Sequence, residues 1–258
     1  MRDATKDAAT ASQRISTGLR INRAGDDPVA FIRTTKLKAE ISSFSQVKTN
    51  LAASNSVLNQ VDGSLSQISS ILVEMKNLAQ RSASENDATI RATYQSAFAS
   101  YLQDIDSLAS GTTVSGSSVL DGTTASITVQ VGINAGDTKT LTFFNSKTDA
   151  LSIDSLDIST TGGASTALTT LGTAIDTTSS RLSTIGAYQN SLSIRGDFID
   201  STVLNKTIEY QGLMNADLAA ETANLAAAQI RQNAATAMLS QSFRLDQDLV
   251  NYLLHSLD

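Results

Sequence analysis

From Phe44 to Ala79, alternating steps of three and four residues pass through Phe44, Val47, Leu51, Ser54, Leu58, Val61, Leu65, Ile68, Leu72, Met75 and Ala79, and only Ser54 is polar. A run this regular predicts a coiled-coil-like helix that buries one narrow seam. The flanking positions are mostly Ser, Asn, Gln and Lys, so its other faces are expected to be solvated. The stretch from Ser82 to Asp87, rich in turn and capping residues, breaks this helix. A second helix is predicted over 88–109, with Ile90, Tyr94, Ala97, Tyr101, Ile105 and Leu108 on one face. So short a connection implies that the second helix folds back along the first.

Between Gly111 and Gly163 the texture changes to Gly, Thr, Ser and Asp, and the apolar positions alternate. Ile127, Val129 and Val131, then the turn residues Asn134 to Asp137, then Leu141 and Phe143 predict a β-hairpin. Leu151, Ile153 and Leu156 add a further strand or a loop. Helix resumes near Ala167, and Leu171, Ile175, Leu182, Ile185, Leu192, Ile199, Val203, Tyr210 and Leu213 form a second seam, interrupted at Thr178, Gln189, Gly196 and Lys206. Two seams joined by a small β insert are buried by pairing them antiparallel. The predicted fold class is therefore mainly α: an elongated antiparallel helical rod, coiled-coil-like, with a small β-hairpin region and both termini at one end.

The last segment, Asn215 to Asp258, is Ala-rich and carries Leu218, Leu225, Ile230, Met238, Leu239, Leu245, Leu249 and Leu253 in an amphipathic helical pattern. Nothing obvious in one copy covers so long an apolar face. A partner orders it, as with segments that fold on binding, or it lies against its own rod; both readings stand at this point. Near the other end, Asp27 followed by Pro28 is a helix start, with Asp27 as N-cap and proline at the first helical position.

Composition narrows the function. The 258 residues include no Trp, 5% aromatics and a single proline, which permits very long helices. The net charge is −6, with Lys and Arg scattered, so neither a nucleic-acid stripe nor a basic membrane-surface helix is present. The chain has no cysteine and one histidine, His255, which removes Ser-His and Cys-His nucleophile systems unless His255 serves them. No catalytic, cofactor-binding or metal-binding residue is nominated. The acidic pair Asp26-Asp27 reads as capping, and the Gly and Asp residues at 132–137 match neither a P-loop nor an EF-hand. The start lacks an apolar run and no stretch reaches transmembrane length, so any export is expected to bypass the general secretory route, with no membrane insertion. What remains is surface built for association: a structural protein, not an enzyme.

Three stretches then match a family. Gln13 to Asn22 (QRISTGLRIN) with Asp26-Asp27-Pro28 resembles the flagellin N-terminal signature; Ser117 to Gly122 and Val129 to Asp137 resemble that family's Leu-Asp-Gly turn and Gln-Val-Gly-x-Asn-Ala-Gly-Asp hairpin; and Asn215 to Leu225 with Gln229 to Gln232 is similar to the start of its C-terminal helix. The resemblance implies a flagellin-like core without outer domains, divided into terminal inner-tube helices (1–34 and 215–258), a helical rod domain (35–110 and 167–214) and a β-hairpin region (111–166). It implies a homo-oligomeric helical filament outside the cell, exported unfolded by a type III apparatus, with an export chaperone on the C-terminal helix and hook-associated and cap proteins as neighbours. Ile15, Leu19, Leu218, Leu225, Ile230, Leu239, Leu249 and Leu253 are the expected self-assembly residues.

Three departures qualify the resemblance. The family pattern has a longer stretch ahead of the QRISTGLRIN signature, which puts unaided polymerisation of this chain in doubt. Leu72, Glu74, Lys76 and Leu78 align with the patch that Toll-like flagellin receptors bind, where Glu74 replaces a common Arg, so weak receptor activation is expected. Pro28 and Asn251 to Leu254 lean instead toward the hook–filament junction protein, whereas the hairpin motif and 215–232 favour the filament subunit. A protease insert, as some relatives carry, is opposed by the short middle and the absence of a His-Glu-x-x-His pair.

Overall fold

In a computed structural model of the chain, residues 2–114 and 116–255 are described, with side chains through residue 247. The elements in order are α1 (Arg2–Thr17), α2 (Pro28–Ser84), α3 (Ala88–Gly111), β1 (Thr113–Val114), β2 (Ser117–Ser118), β3 (Ser126–Gln130), β4 (Thr138–Thr142), α4 (Thr161–Met214) and α5 (Leu218–His255). They divide into a terminal unit, Met1–Ile41 with Val203–Asp258, and a central unit, Ser42–Thr202.

In the central unit the first seam is buried as its periodicity requires. Leu58, Val61, Leu65, Ile68, Leu72, Met75 and Ala79 are fully buried, and Phe44, Val47 and Leu51 nearly so. Ser54, the polar interruption, is half-buried and donates its hydroxyl to the Asn50 carbonyl one turn back. The facing helix α4 buries Leu171, Ile185, Leu192 and Ile199, and Thr178, an interruption by sequence, is also buried with its hydroxyl donating to the Ala174 carbonyl. Lys48 pairs with Asp200 and Gln189 donates to Asn59, so partners run in opposite directions along α2 and α4.

α3 starts where its cap dictates: Asp87 accepts a hydrogen bond from the Thr89 amide at 2.7 Å. Most of its expected face is buried: Ile105 lies in the core and Tyr94, Tyr101 and Leu108 pack against it, whereas Ile90 and Ala97 are exposed. Phe98, outside that face by sequence, is also fully buried, in the cluster with Ile68, Leu72, Met75, Ile153, Ile158 and Leu171.

β3 and β4 pair antiparallel with Val129 opposite Lys139 and Ile127 opposite Leu141. Val129, Leu141 and Phe143 are buried. The turn between the strands is held by two side chains, Asp137 and Gln130. Asp137 Oδ2 accepts from the Asn134 amide (3.1 Å) and from Asn134 Nδ2 (3.0 Å), while Gln130 Nε2 donates to the carbonyls of Gly132 and Asn134. Gly132 lies so close to Asp137 that an added Cβ would sit 2.4 Å from Oδ2, and Gly136 has φ +92°. The residues 151–156 form turns, not a strand. Their neighbourhood is stitched by helix side chains: Asp106 accepts from the Thr148 amide and hydroxyl, Gln95 accepts from the Ile158 amide, and Ser82 donates to the Ile158 carbonyl. With these partners the loop needs no ladder to satisfy its backbone.

Candidate functional site

The terminal unit holds the surfaces expected to assemble. α1 ends at Thr17 and is followed by Gly18 in the left-handed region (φ +71°), the usual helix stop. Asn22 and Arg23 donate their amides to Asp26 Oδ2 at 2.9 and 3.0 Å, closing a tight turn. The Asp26 carboxyl is held below the ordinary carboxylate range, chiefly by the Asn22 amide. α2 then begins at Pro28, with Asp27 Oδ1 accepting from the Ala30 amide at 3.0 Å. The acidic pair therefore caps backbone amides, as its position before proline implies, and also faces side chains: Asp26 accepts from Arg23 Nε at 3.2 Å, and Asp27 lies 3.6 Å from Arg20 Nη1.

α5 starts the same way, with Asp217 Oδ1 accepting from the amides of Ala219 and Ala220. Its first half packs along α1 through small residues: Ala4, Ala11 and Ala228 are buried, which lets the two helices approach closely. Two ion pairs flank this seam, Arg14 to Glu221 at 2.9 Å and Arg231 to Asp7 at 3.4 Å. Glu221 is only 8% exposed, so removing Arg14 would leave a largely buried carboxylate unpaired. The first half of the terminal helix is thus packed on α1 of its own chain, a partner that neither reading of the sequence named.

Arg231 lies opposite Asp7, so the described part of α1 packs along the first part of α5. Beyond Ala228 no described residue of α5 is buried. Ile230 (68%), Met238 (74%), Phe243 (66%) and Leu245 (60%) stand open to solvent, together with Leu239. This is far more apolar exposure on one helix than isolated surface residues explain. Leu218 is also exposed, and Ile15, Leu19 and Leu225 are half-buried, with Leu19 bridged to Asn215. Leu249 and Leu253 lie outside the residues whose side chains are described, as does His255.

Of the receptor-patch residues, Glu74 and Lys76 are exposed and Leu78 is half-buried, but Leu72 is wholly buried in the seam and belongs to the core. Arg14, Glu221 and Arg20 were not singled out by sequence reasoning. All three lie inside the quoted motifs, and the pairing of one motif with the other was the signal for them. Among the described residues no group of three His, Cys, Asp or Glu is placed to hold a metal ion, and no helix is long and apolar enough to cross a membrane.

Antiparallel seams, a short hairpin and a terminal helix that exposes several large apolar side chains define a class of long-helix protein. Residues 1–125 match the bacterial flagellin N-terminal helical region, and residues 168–253 match the bacterial flagellin C-terminal helical region. The chain belongs to the bacterial flagellin family. It is 27% identical to the flagellin of Halalkalibacterium halodurans over 94% of this chain and 90% of that protein. The crystal structure of Bacillus cereus flagellin matches 58% of this chain and 88% of that one, with a TM-score of 0.54 and 29% identity. A Vibrio parahaemolyticus structure assigned as a flagellar hook-associated protein covers 74% of this chain and 100% of its own, with a TM-score of 0.62; at 17% identity the likeness is one of fold.

Proposed function

We propose that the chain is a structural subunit of the bacterial flagellar filament, and that it acts by burying, against further copies, the apolar side chains that α5 leaves open. The observation that carries this reading is the row Ile230, Met238, Leu239, Phe243 and Leu245, exposed on a helix whose first half is already packed. Burying apolar side chains of this size is worth about 1.5–3 kcal/mol each. Five of them along one helix supply a strong drive to associate. The hook–filament junction reading is not favoured, because the flagellin likeness extends over nearly the whole chain at higher identity than the hook-associated one.

The finer parts of this proposal follow from family membership. Residues 1–34 and 215–258 form the terminal inner-tube helices, 35–110 and 167–214 the helical rod domain, and 111–166 its β-hairpin region. The subunit is exported unfolded to the outside of the cell, where hook-associated and cap proteins are its neighbours. Before export a chaperone covers α5, whose open apolar side chains are otherwise an aggregation liability. The role is structural and uses no catalytic residue. Glu74 makes the chain a weak ligand for flagellin receptors; Glu74→Arg should raise activation in a receptor-reporter assay, and equal activation by both forms would refute this.

The test is complementation of a strain lacking the chain. Wild type should restore filaments and swimming, while Met238→Ser/Phe243→Ser should be produced and folded yet give few or no filaments. Full filaments from the double variant would overturn the role given to α5.

A further inference from the structure

Four helix ends converge in the terminal unit: α1 stops at Thr17, α2 starts at Pro28, α4 stops at Met214 and α5 starts at Leu218. The backbone tie described between the two connecting segments is a single antiparallel bridge. The Arg20 amide donates to the Met214 carbonyl (2.6 Å), the Ala216 amide donates to the Gly18 carbonyl (2.9 Å), and Leu19 faces Asn215. Beneath it sits a small apolar plug of Ile21, Ala30 and Met214, edged by Leu19, Phe31 and Tyr210.

One side chain spans this junction. Arg20 donates from Nε (3.2 Å) and Nη2 (2.9 Å) to the Leu213 carbonyl in the last turn of α4, and its Nη1 lies 3.6 Å from Asp27 Oδ2. The guanidinium therefore sits as a cation at the negative end of α4 and faces the carboxylate that caps the positive end of α2, which are the favourable ends for each charge. A planar fork with several fixed donors can hold a carbonyl and a carboxylate together; the single ammonium of lysine cannot match that geometry. So thin a backbone tie is open to fraying, and Arg20 is the group placed to hold it shut.

We propose that Arg20 is a latch: it locks the chain crossing between the α4 end and the α2 start, fixes the direction in which the α1/α5 pair leaves that junction, and so sets the subunit geometry that is repeated along the filament. The second half of this statement rests on the filament reading; the first half does not. Because every subunit carries the same junction, a small change in direction there is multiplied along a helical polymer and becomes visible in its form.

Hydrogen exchange and electron microscopy on the full chain test it, with Arg20→Lys and Asp27→Asn as variants. Asp27→Asn keeps a side-chain oxygen for the Ala30 amide and removes only the charge facing Arg20. The expected result for Arg20→Lys is exchange at least tenfold faster in peptides covering 18–27 and 213–217, unchanged protection of 58–79, and filaments of altered pitch or waveform. Asp27→Asn should shift both readouts the same way by a smaller amount. Unchanged exchange at 18–27 and 213–217 overturns the latch outright. Faster exchange with wild-type filament form overturns its role in setting subunit geometry. If wild type itself builds no filament, the filament reading fails, and the exchange arm still decides the latch.

Discussion

Asp27 and Asp26 show how neighbouring identical residues take different work. Asp27 caps α2 through Oδ1, so Asp27→Ala should cost about 1 kcal/mol in a urea-unfolding measurement, whereas Asp27→Asn should cost little; equal losses would refute the cap assignment. Asp26 holds the preceding turn, and its carboxyl is kept below the ordinary value by the Asn22 amide. A carboxylate with a depressed native value stabilises the fold above its unfolded value, near pH 4, and that contribution disappears as pH falls through the lower native value. The same sign holds for Glu40, held down by Lys206, and for Asp87, Asp121 and Asp157, held down by hydrogen bonds to Thr89, Thr123 and Ser159. The melting temperature should therefore fall as pH drops below about 4, and Asp26→Asn should lessen that fall slightly; an unchanged pH profile would contradict it. In the core, Phe98→Ala should cost about 3–5 kcal/mol by the same unfolding assay, since Phe98 is fully buried among α2 and α4 side chains.

At the scale of elements, the hairpin turn has a strict steric demand: Gly132→Ala would push a methyl group against the Asp137 side chain. That variant should lose the chemical-shift signature of the β3–β4 turn while helix content stays unchanged, and retention of the turn would refute the packing described. The long seam of α2 was legible because its period never wavers over 44–79, and the cap at Asp27 and the break before Ala88 were legible because their geometry is local. The face of α3 was legible through Tyr94, Tyr101, Ile105 and Leu108, but the burial of Phe98 was not, because several apolar residues compete there and the core cluster takes the bulkier ring. The loop over 144–160 was not legible at all, since its order comes from Asp106, Gln95, Arg91 and Ser82, tens of residues away in sequence. The many Ser and Thr residues of α2 and α4 argue against helix by propensity, yet their hydroxyls donate one turn back, as Thr49 to Ser45 and Thr177 to Thr173 do, and the buried seams hold the helices.

For the whole molecule, the sequence motifs placed the terminal segments in one family, but the division of α5 into a packed half and an open half required the structure. The packed half is held by the Arg14–Glu221 and Arg231–Asp7 pairs, which no periodicity in α5 alone reveals. The most direct test of the central claim is immunogold electron microscopy of flagella from the source bacterium, with antibody raised against this chain. A filament subunit predicts label along the whole filament length. A single labelled band where hook meets filament, with the rest bare, would contradict the account and make the chain a junction component.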